Sequence, residues 1–223
     1  MKLKQQEFKP IKRSNIIAVG GMIATGKTTL VEALAKENHS DILLELDEND
    51  DIQKSLLKGL YEKQNIAACV FQLYFFLKRF DNYKNFVNNH KNVIVDRTIF
   101  EDRLFAHQNM AADPVVFGFY DNMWHEKVNE LIYSVGVPKL YIILKSDWDL
   151  FVERLFKRNR QVEIENFENN LLYFKNLNEV YVDFLEQTCL TYGIDFITID
   201  ASIPTKEKIE MINKKIKEID KNL

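Results

Sequence analysis

The stretch GGMIATGKTTLVEAL, residues 20–34, sets a glycine-bracketed turn between the apolar run NIIAVG from Asn15 and a segment, TTLVEALAKE, that opens as a helix. Gly21, Gly26, Lys27 and Thr28 satisfy the pattern G-x-x-x-x-G-K-[ST], and a strand before with a helix after is the context that gives this pattern its meaning. The backbone N–H groups from Gly21 through Met22, Ile23, Ala24, Thr25 and Gly26 to Lys27, Thr28 and Thr29 then face an oxyanion at a helix start. Lys27 is placed to reach the β- and γ-phosphates of a nucleotide, and the Thr28 hydroxyl is placed to bind Mg²⁺.

Working outward, short apolar β-branched runs recur: ILLEL from Ile42, NVIVD from Asn92, LYIILK from Leu140 and FITID from Phe196. Strands buried on both faces have this composition, and their alternation with helical segments implies an α/β fold, a five-stranded parallel sheet with helices on both faces. Between them lie two long aromatic-rich segments, residues 65–89 and 166–188, whose apolar spacing is nearer 3.6 than 2. These aromatics are read as core or subunit interface. In the last segment Ile209, Ile212, Ile216 and Ile219 share one helical face. No repeat or linker divides the 223 residues, so one domain over 1–223 is expected.

A net charge of −3 argues against a surface built to wrap a nucleic acid polymer. Cys69 and Cys189 are too few for a disulfide framework and lie in apolar contexts, which reads as two free core thiols. The polar, basic start has no apolar run of signal-peptide length, and no run reaches transmembrane length. A cytoplasmic protein with a small substrate is expected.

The phosphate loop is shared by switches, transport ATPases and kinases. No Asn-Lys-x-Asp guanine reader and no Leu-Ser-Gly-Gly signature occurs, which disfavours the first two. NVIVDRTIFEDRLFA carries a buried strand into Asp96 and Arg97, where a parallel sheet opens its ligand crevice. Asp96 could hold Mg²⁺ through water, and Arg97 could steady a phosphate or an attacking hydroxyl. Gln72 and Arg79, seven apart among Phe71, Phe75, Phe76 and Phe80, share a helix face and suggest a flat heterocycle. In SDWDLFVERLFKRNR, Ser146 and Asp149 read as a capping box, and Arg154 with Arg158 and Arg160 crowd positive charge that an anion such as a triphosphate relieves.

Taken together these motifs resemble the deoxynucleoside kinase family over nearly the whole chain. The matches are the phosphate loop, Tyr61-Glu62-Lys63 with Gln72 and Arg79 following, DRTIFEDR from Asp96, and RLFKRNR from Arg154. The resemblance implies ATP as donor with Mg²⁺ held by Thr28 and Asp96, a homodimer, nucleotide salvage, and an arginine-rich lid over about 154–166. It implies that Gln72 reads the base edge, that Arg79 and Asp102 complete the base pocket, and that Tyr61 and Glu163 hold the 3′-hydroxyl. Arg97 is implied near the 5′-hydroxyl, with Arg154, Arg158 and Arg160 closing over the donor phosphates.

The family's catalytic base is a Glu ending the second strand and followed by Pro. Here Glu45 is followed by Leu46, so Asp47 and Glu48 are alternative registers, and Glu45 is preferred because the apolar run stops there. Asp96 and Thr98 stand where the family often has Glu and Ser, which together with Glu101 before Asp102 resembles the bacterial purine-preferring branch. Deoxyadenosine is therefore the expected acceptor. Asn159 replaces a frequent lid glycine, a swap that a left-handed turn tolerates. The alternatives are a nucleoside monophosphate kinase of thymidylate kinase type and a non-catalytic nucleotide-binding switch.

Overall fold

Each apolar run becomes a strand in a computed structural model that describes residues 13–45, 50–62 and 67–221. The strands are β1 (Ile16–Gly21), β2 (Asp41–Leu43), β3 (Val93–Asp96), β4 (Leu140–Lys145) and β5 (Asp195–Asp200). They pair in parallel in the order β2-β3-β1-β4-β5. Helices connect them: α1 (Lys27–Asn38), α2 (Asp51–Tyr61), α3 (Ala67–Asn89), α4 (Ile99–Met110), α5 (Pro114–Ser134), α6 (Trp148–Arg158), α7 (Gln161–Glu165), α8 (Leu171–Tyr192) and α9 (Thr205–Lys221).

The two-residue period of the strands sorts their side chains into two cores. Ile16, Ala18, Val93, Val95, Tyr141 and Ile143 face a cluster rich in aromatics, which includes Phe76, Phe80, Tyr83, Phe100, Phe151, Phe174 and Tyr181. Val19, Ile94, Leu140, Ile142 and Leu144 face a smaller aliphatic cluster closed by Leu30, Val31 and Leu34 of α1 and by Ile209, Ile212 and Ile219 of α9. Ile216 is only partly buried at that edge. The long aromatic segments thus serve mainly as core, one of the two roles, core or subunit interface, read for them. Cys189 is buried and Cys69 half-buried, both as free thiols.

The sheet order positions the site. After β1 the chain leaves for the β2 edge, and after β3 it crosses to β4 on the other side. Loops diverge above the C-terminal ends of β1 and β3, where a parallel sheet opens its crevice. Register pairs Val19 with Asp96, so the loop after β1 and the turn after β3 begin side by side.

One local expectation is corrected. α6 is capped by Asp147, whose carboxylate accepts from the Leu150 N–H at 2.7 Å, and not by Ser146. Ser146 is the buried last step out of the sheet, and among the described residues nothing hydrogen-bonds its hydroxyl. Both residues are good caps, and the strand's exit, not the local pattern, decides which one turns toward the helix. Asp147→Ala should therefore lower thermal stability by about 1 kcal/mol, whereas Ser146→Ala should stay within about 0.5 kcal/mol of the parent. Paired melts check this, and equal losses would contradict the assignment.

Candidate active site

The loop after β1 turns on Gly26, whose φ of 88° lies in the left-handed region that suits glycine. α1 starts immediately after it, so the first-turn N–H groups converge over the crevice. Ile23, Ala24, Gly26, Lys27, Thr28 and Thr29 line a cavity of about 680 Å³. Gly21, Met22 and Thr25 do not line it. Met22 is packed in the aromatic core, and its carbonyl accepts from the Thr25 hydroxyl at 2.8 Å and from Lys27 Nζ at 3.1 Å. Gly21 has no side chain, and those of Met22 and Thr25 are buried away from the cavity, so these three residues shape the loop from behind. Burial, and next the neighbouring Arg97, lower the Lys27 ammonium to about 8 against the opposing pull of Asp96, Glu45 and Glu101.

Thr28 donates its hydroxyl to Asp96 Oδ2 at 2.6 Å, which brings the expected metal pair together. Among the described residues nothing hydrogen-bonds Asp96 Oδ1, which is buried. Burial raises the Asp96 carboxyl and Lys27 opposes this. A hydroxyl and a carboxylate with a free buried oxygen form a suitable donor set for a hard divalent cation that keeps most of its water.

Glu45 lies two residues beyond the last residue of β2, at the mouth of the same cavity, with its side chain 25 % exposed. Arg97 Nε approaches it at 2.9 Å and Arg79 Nη2 at 3.5 Å. Burial alone would raise this carboxyl, but Arg97, Arg79 and Lys27 together hold it at about 2. It is ionised at any working pH. Asp47 and Glu48, the alternative registers, lie outside the described residues.

Gln72 and Arg79 of α3 both line the cavity, as their shared face required, and Gln72 is buried. Arg79 Nε donates to both oxygens of Asp102 on α4, at 3.2 and 3.1 Å. Burial pushes the Asp102 carboxyl up to about 6, with Arg79 pulling it down and Glu101 and Glu45 pushing it further up. Phe71, Phe75 and Phe105 supply apolar walls. The far wall holds Tyr61 from the end of α2 and Glu163 from α7. Burial, then Glu163, push the Tyr61 hydroxyl well above its ordinary value.

Glu163 is buried yet ionically satisfied: Arg158 Nη2 and Arg160 Nη1 both donate to it, the latter at 3.3 Å. Asn159 between them has φ 57°, the left-handed turn that replaces a glycine there. The charge crowding read from the sequence is relieved inside the protein. Arg154 instead donates to the carbonyls of Thr25 and Ala201, at 2.8 Å each, tying α6 to the phosphate loop.

Sequence reasoning missed a buried network behind the site, naming Glu101 only as the neighbour of Asp102. Glu101, Tyr141 and Tyr181 form a hydrogen-bonded cluster with Arg97. Arg97 and Glu101 are four apart, a spacing that reads as an ordinary helix pair, but Arg97 precedes α4 and only the fold shows what surrounds them.

Residues 17–221 match the family model described as deoxynucleoside kinase. An uncharacterized protein of Mycoplasma genitalium is 46 % identical over 97 % of this chain and 96 % of its own length. The deoxyadenosine/deoxycytidine kinase of Bacillus subtilis is 26 % identical over 78 % of each chain. Among solved structures, the deoxyadenosine kinase of M. mycoides with bound dATP superposes with a TM-score of 0.72 at 25 % identity, covering 91 % of this chain and 98 % of that one.

Proposed function

The chain belongs to the deoxynucleoside kinase family, and we propose that it transfers the γ-phosphate of ATP to the 5′-hydroxyl of a deoxynucleoside, deoxyadenosine being preferred. One observation carries this reading: a single cavity holds the phosphate loop, a carboxylate paired to Arg97, and a polar pair, Arg79 with Asp102, beside Gln72. The first is a donor site, the last an acceptor-base site, and Glu45 lies between them.

In this mechanism the base lies against Phe71, Phe75 and Phe105, with Gln72 and the Arg79–Asp102 pair on its polar edge. Gln72 offers one acceptor and two donors, which suits adenine and cytosine edges alike, so the pair must decide between them. Tyr61 and Glu163 hold the 3′-hydroxyl. The 5′-hydroxyl then points at Glu45 and Arg97. Lys27 leaves the Met22 carbonyl for the β- and γ-phosphates, and Arg158 and Arg160 exchange part of their contact with Glu163 for phosphate. Thr28 and Asp96 would hold Mg²⁺, which would neutralise phosphate charge. Because phosphoryl transfer is largely positioning and charge neutralisation, these cations supply most of the acceleration. Closure of the lid over about 154–166 excludes water as a competing acceptor.

The name of the B. subtilis relative couples deoxyadenosine with deoxycytidine, and the M. mycoides neighbour is described with dATP bound. Both agree with deoxyadenosine as an acceptor without ranking it above deoxycytidine, since the M. mycoides enzyme is also seen with dCTP bound. We further propose one domain over 1–223 and a homodimer built on the long aromatic helices α3 and α8, whose Leu77 and Leu172 are exposed apolar residues. No helix among the described residues is long and apolar enough to cross a membrane. The cytoplasm, which supplies ATP and keeps the thiols of Cys69 and Cys189 reduced, is the proposed compartment.

The test is a panel of initial rates with ATP and Mg²⁺ over concentration series of deoxyadenosine, deoxyguanosine, deoxycytidine and thymidine, beside their monophosphates. Deoxyadenosine should give the highest kcat/KM. Deoxycytidine first would refute only the purine assignment, thymidine first would also refute the role of Asp102, and phosphorylation of the monophosphates alone would mean a nucleoside monophosphate kinase. A negatively charged Glu45 beside the acceptor disfavours that last outcome by repelling a phosphate dianion.

A further inference from the structure

Arg97 is held where an arginine does not settle by itself. Its φ of 67° lies in the left-handed region, which a residue with a side chain keeps only when its surroundings over-determine it. Its N–H is fixed to the Val19 carbonyl at 3.0 Å. Its guanidinium lies between two carboxylates, Glu45 on the cavity side at 2.9 Å and Glu101 on the interior side at 2.5 Å. The two differ in setting. Glu45 is a quarter exposed, and Glu101 is fully buried.

A fully buried carboxylate persists only if its oxygens are satisfied. Glu101 achieves this with three donors: Arg97 Nη1 and the Tyr181 hydroxyl on Oε2, and the Tyr141 hydroxyl on Oε1. Since the Tyr141 proton is committed to Glu101, Thr98 Oγ1 is the donor in its 3.1 Å contact with Tyr141. The Tyr181 hydroxyl also accepts from Arg97 Nη1 and from the Gly21 N–H, the latter at 3.3 Å. One phenol therefore joins the first glycine of the phosphate motif to Arg97. The network also fills the space beneath the loop: a Cβ at Gly20 would come within 2.8 Å of Glu101 Oε1 and 2.7 Å of the Tyr141 ring.

We propose that Glu101, acting with Tyr181 and Tyr141, is a positioning residue that locks Arg97, on the acceptor side, to the phosphate loop, on the donor side. The reacting groups then keep a fixed separation, which is what an in-line transfer requires. Glu101 also gives Arg97 a second carboxylate partner, so the guanidinium is not wholly consumed by Glu45, whose remaining lone pairs stay open to a hydroxyl. The proposal rests on the role given above to Arg97.

The test uses the full chain and compares Glu101→Gln, Arg97→Lys and the double variant by kcat, both KM values and thermal melts. Glu101→Gln keeps the shape and removes the charge. It should lower kcat by roughly tenfold to a hundredfold while each KM stays within about threefold of the parent. Added to Arg97→Lys, it should lower kcat by less than about twofold more, because it acts through Arg97. A folded Glu101→Gln with the parent's kcat, or losses that multiply in the double variant, would overturn the proposal.

If Glu101→Gln does not fold, Tyr181→Phe takes its place, removing one hydroxyl without changing shape. It should cost about fivefold in kcat, again without multiplying the Arg97→Lys loss. Parent-like kcat in Tyr181→Phe overturns the proposal, and so does failure of Tyr181→Phe to fold, which assigns the network to folding alone. Parent-like kcat in Arg97→Lys overturns the role of Arg97 itself, a result distinct from an impaired Arg97→Lys beside an unimpaired Glu101→Gln.

Discussion

Glu45→Gln is expected to bind deoxynucleoside nearly as well as the parent and to lose turnover by on the order of 10²-fold or more. Arg97 and Arg79 keep this carboxylate ionised, with its pKa near about 2, so it is a weak base for a free alcohol. In a loose phosphoryl-transfer transition state that weakness matters little, because the alcohol proton becomes acidic only as the new P–O bond forms. Until then the carboxylate serves as an acceptor that aims the hydroxyl. A neutral amide still accepts a hydrogen bond but neither takes the proton nor balances Arg97. Binding should survive because the base and sugar contacts lie elsewhere in the cavity. Single-turnover rates beside equilibrium binding separate these effects. Should Glu45→Gln turn over normally while Glu48→Gln does not, the catalytic carboxylate belongs to the alternative register.

The second large effect is expected at Asp102. Its side chain is 5 % exposed and is held by the Nε of Arg79, whose Nη1 has no hydrogen-bond partner among the described residues. An acceptor pair on Asp102 and an unsatisfied donor on Arg79 thus share the base pocket, and a base that matches both is favoured over one that leaves a buried charge unpaired. Asp102→Asn should lower kcat/KM for deoxyadenosine by about 10²-fold and compress the ranking among the four deoxynucleosides. It should act on the pH profile as well. Burial places the Asp102 carboxyl at about 6, so protonation below that pH removes the charge that orients Arg79. kcat/KM in the parent should fall on the acid side with a midpoint near pH 6, because this parameter reports the free enzyme. The limb should vanish in Asp102→Asn. A limb that persists unchanged assigns the titration to another group and removes Asp102 from base selection.

Much of this was legible in the sequence where a short-range pattern has a single structural meaning. The phosphate loop is such a pattern, since Gly26 must take a positive φ and the strand and helix on either side are written next to it. The five strands follow from runs too apolar for any setting but a sheet covered on both faces. Gln72 and Arg79 could be placed on one face because seven residues make nearly two helical turns. Asn159 could be read as a left-handed turn because it stands where the family's lid often has glycine and its short polar side chain tolerates that conformation.

What the tertiary structure decided lies where several residues could have done the same work, or where the partners are far apart in the chain. Ser146 and Asp147 are equally good caps, and the exit of β4 selected the second. Arg158 and Arg160 look like free cations until α7 folds Glu163 back between them. Glu101 enters the sequence reading only as the residue before Asp102, yet it meets Tyr141, 40 positions on, and Tyr181, 80 positions on. A helix period says which side of a helix a residue occupies, but not which distant element covers that side. Burial then makes the difference chemical, because a charge in contact with water needs no particular partner and a buried one must find its donors across the fold.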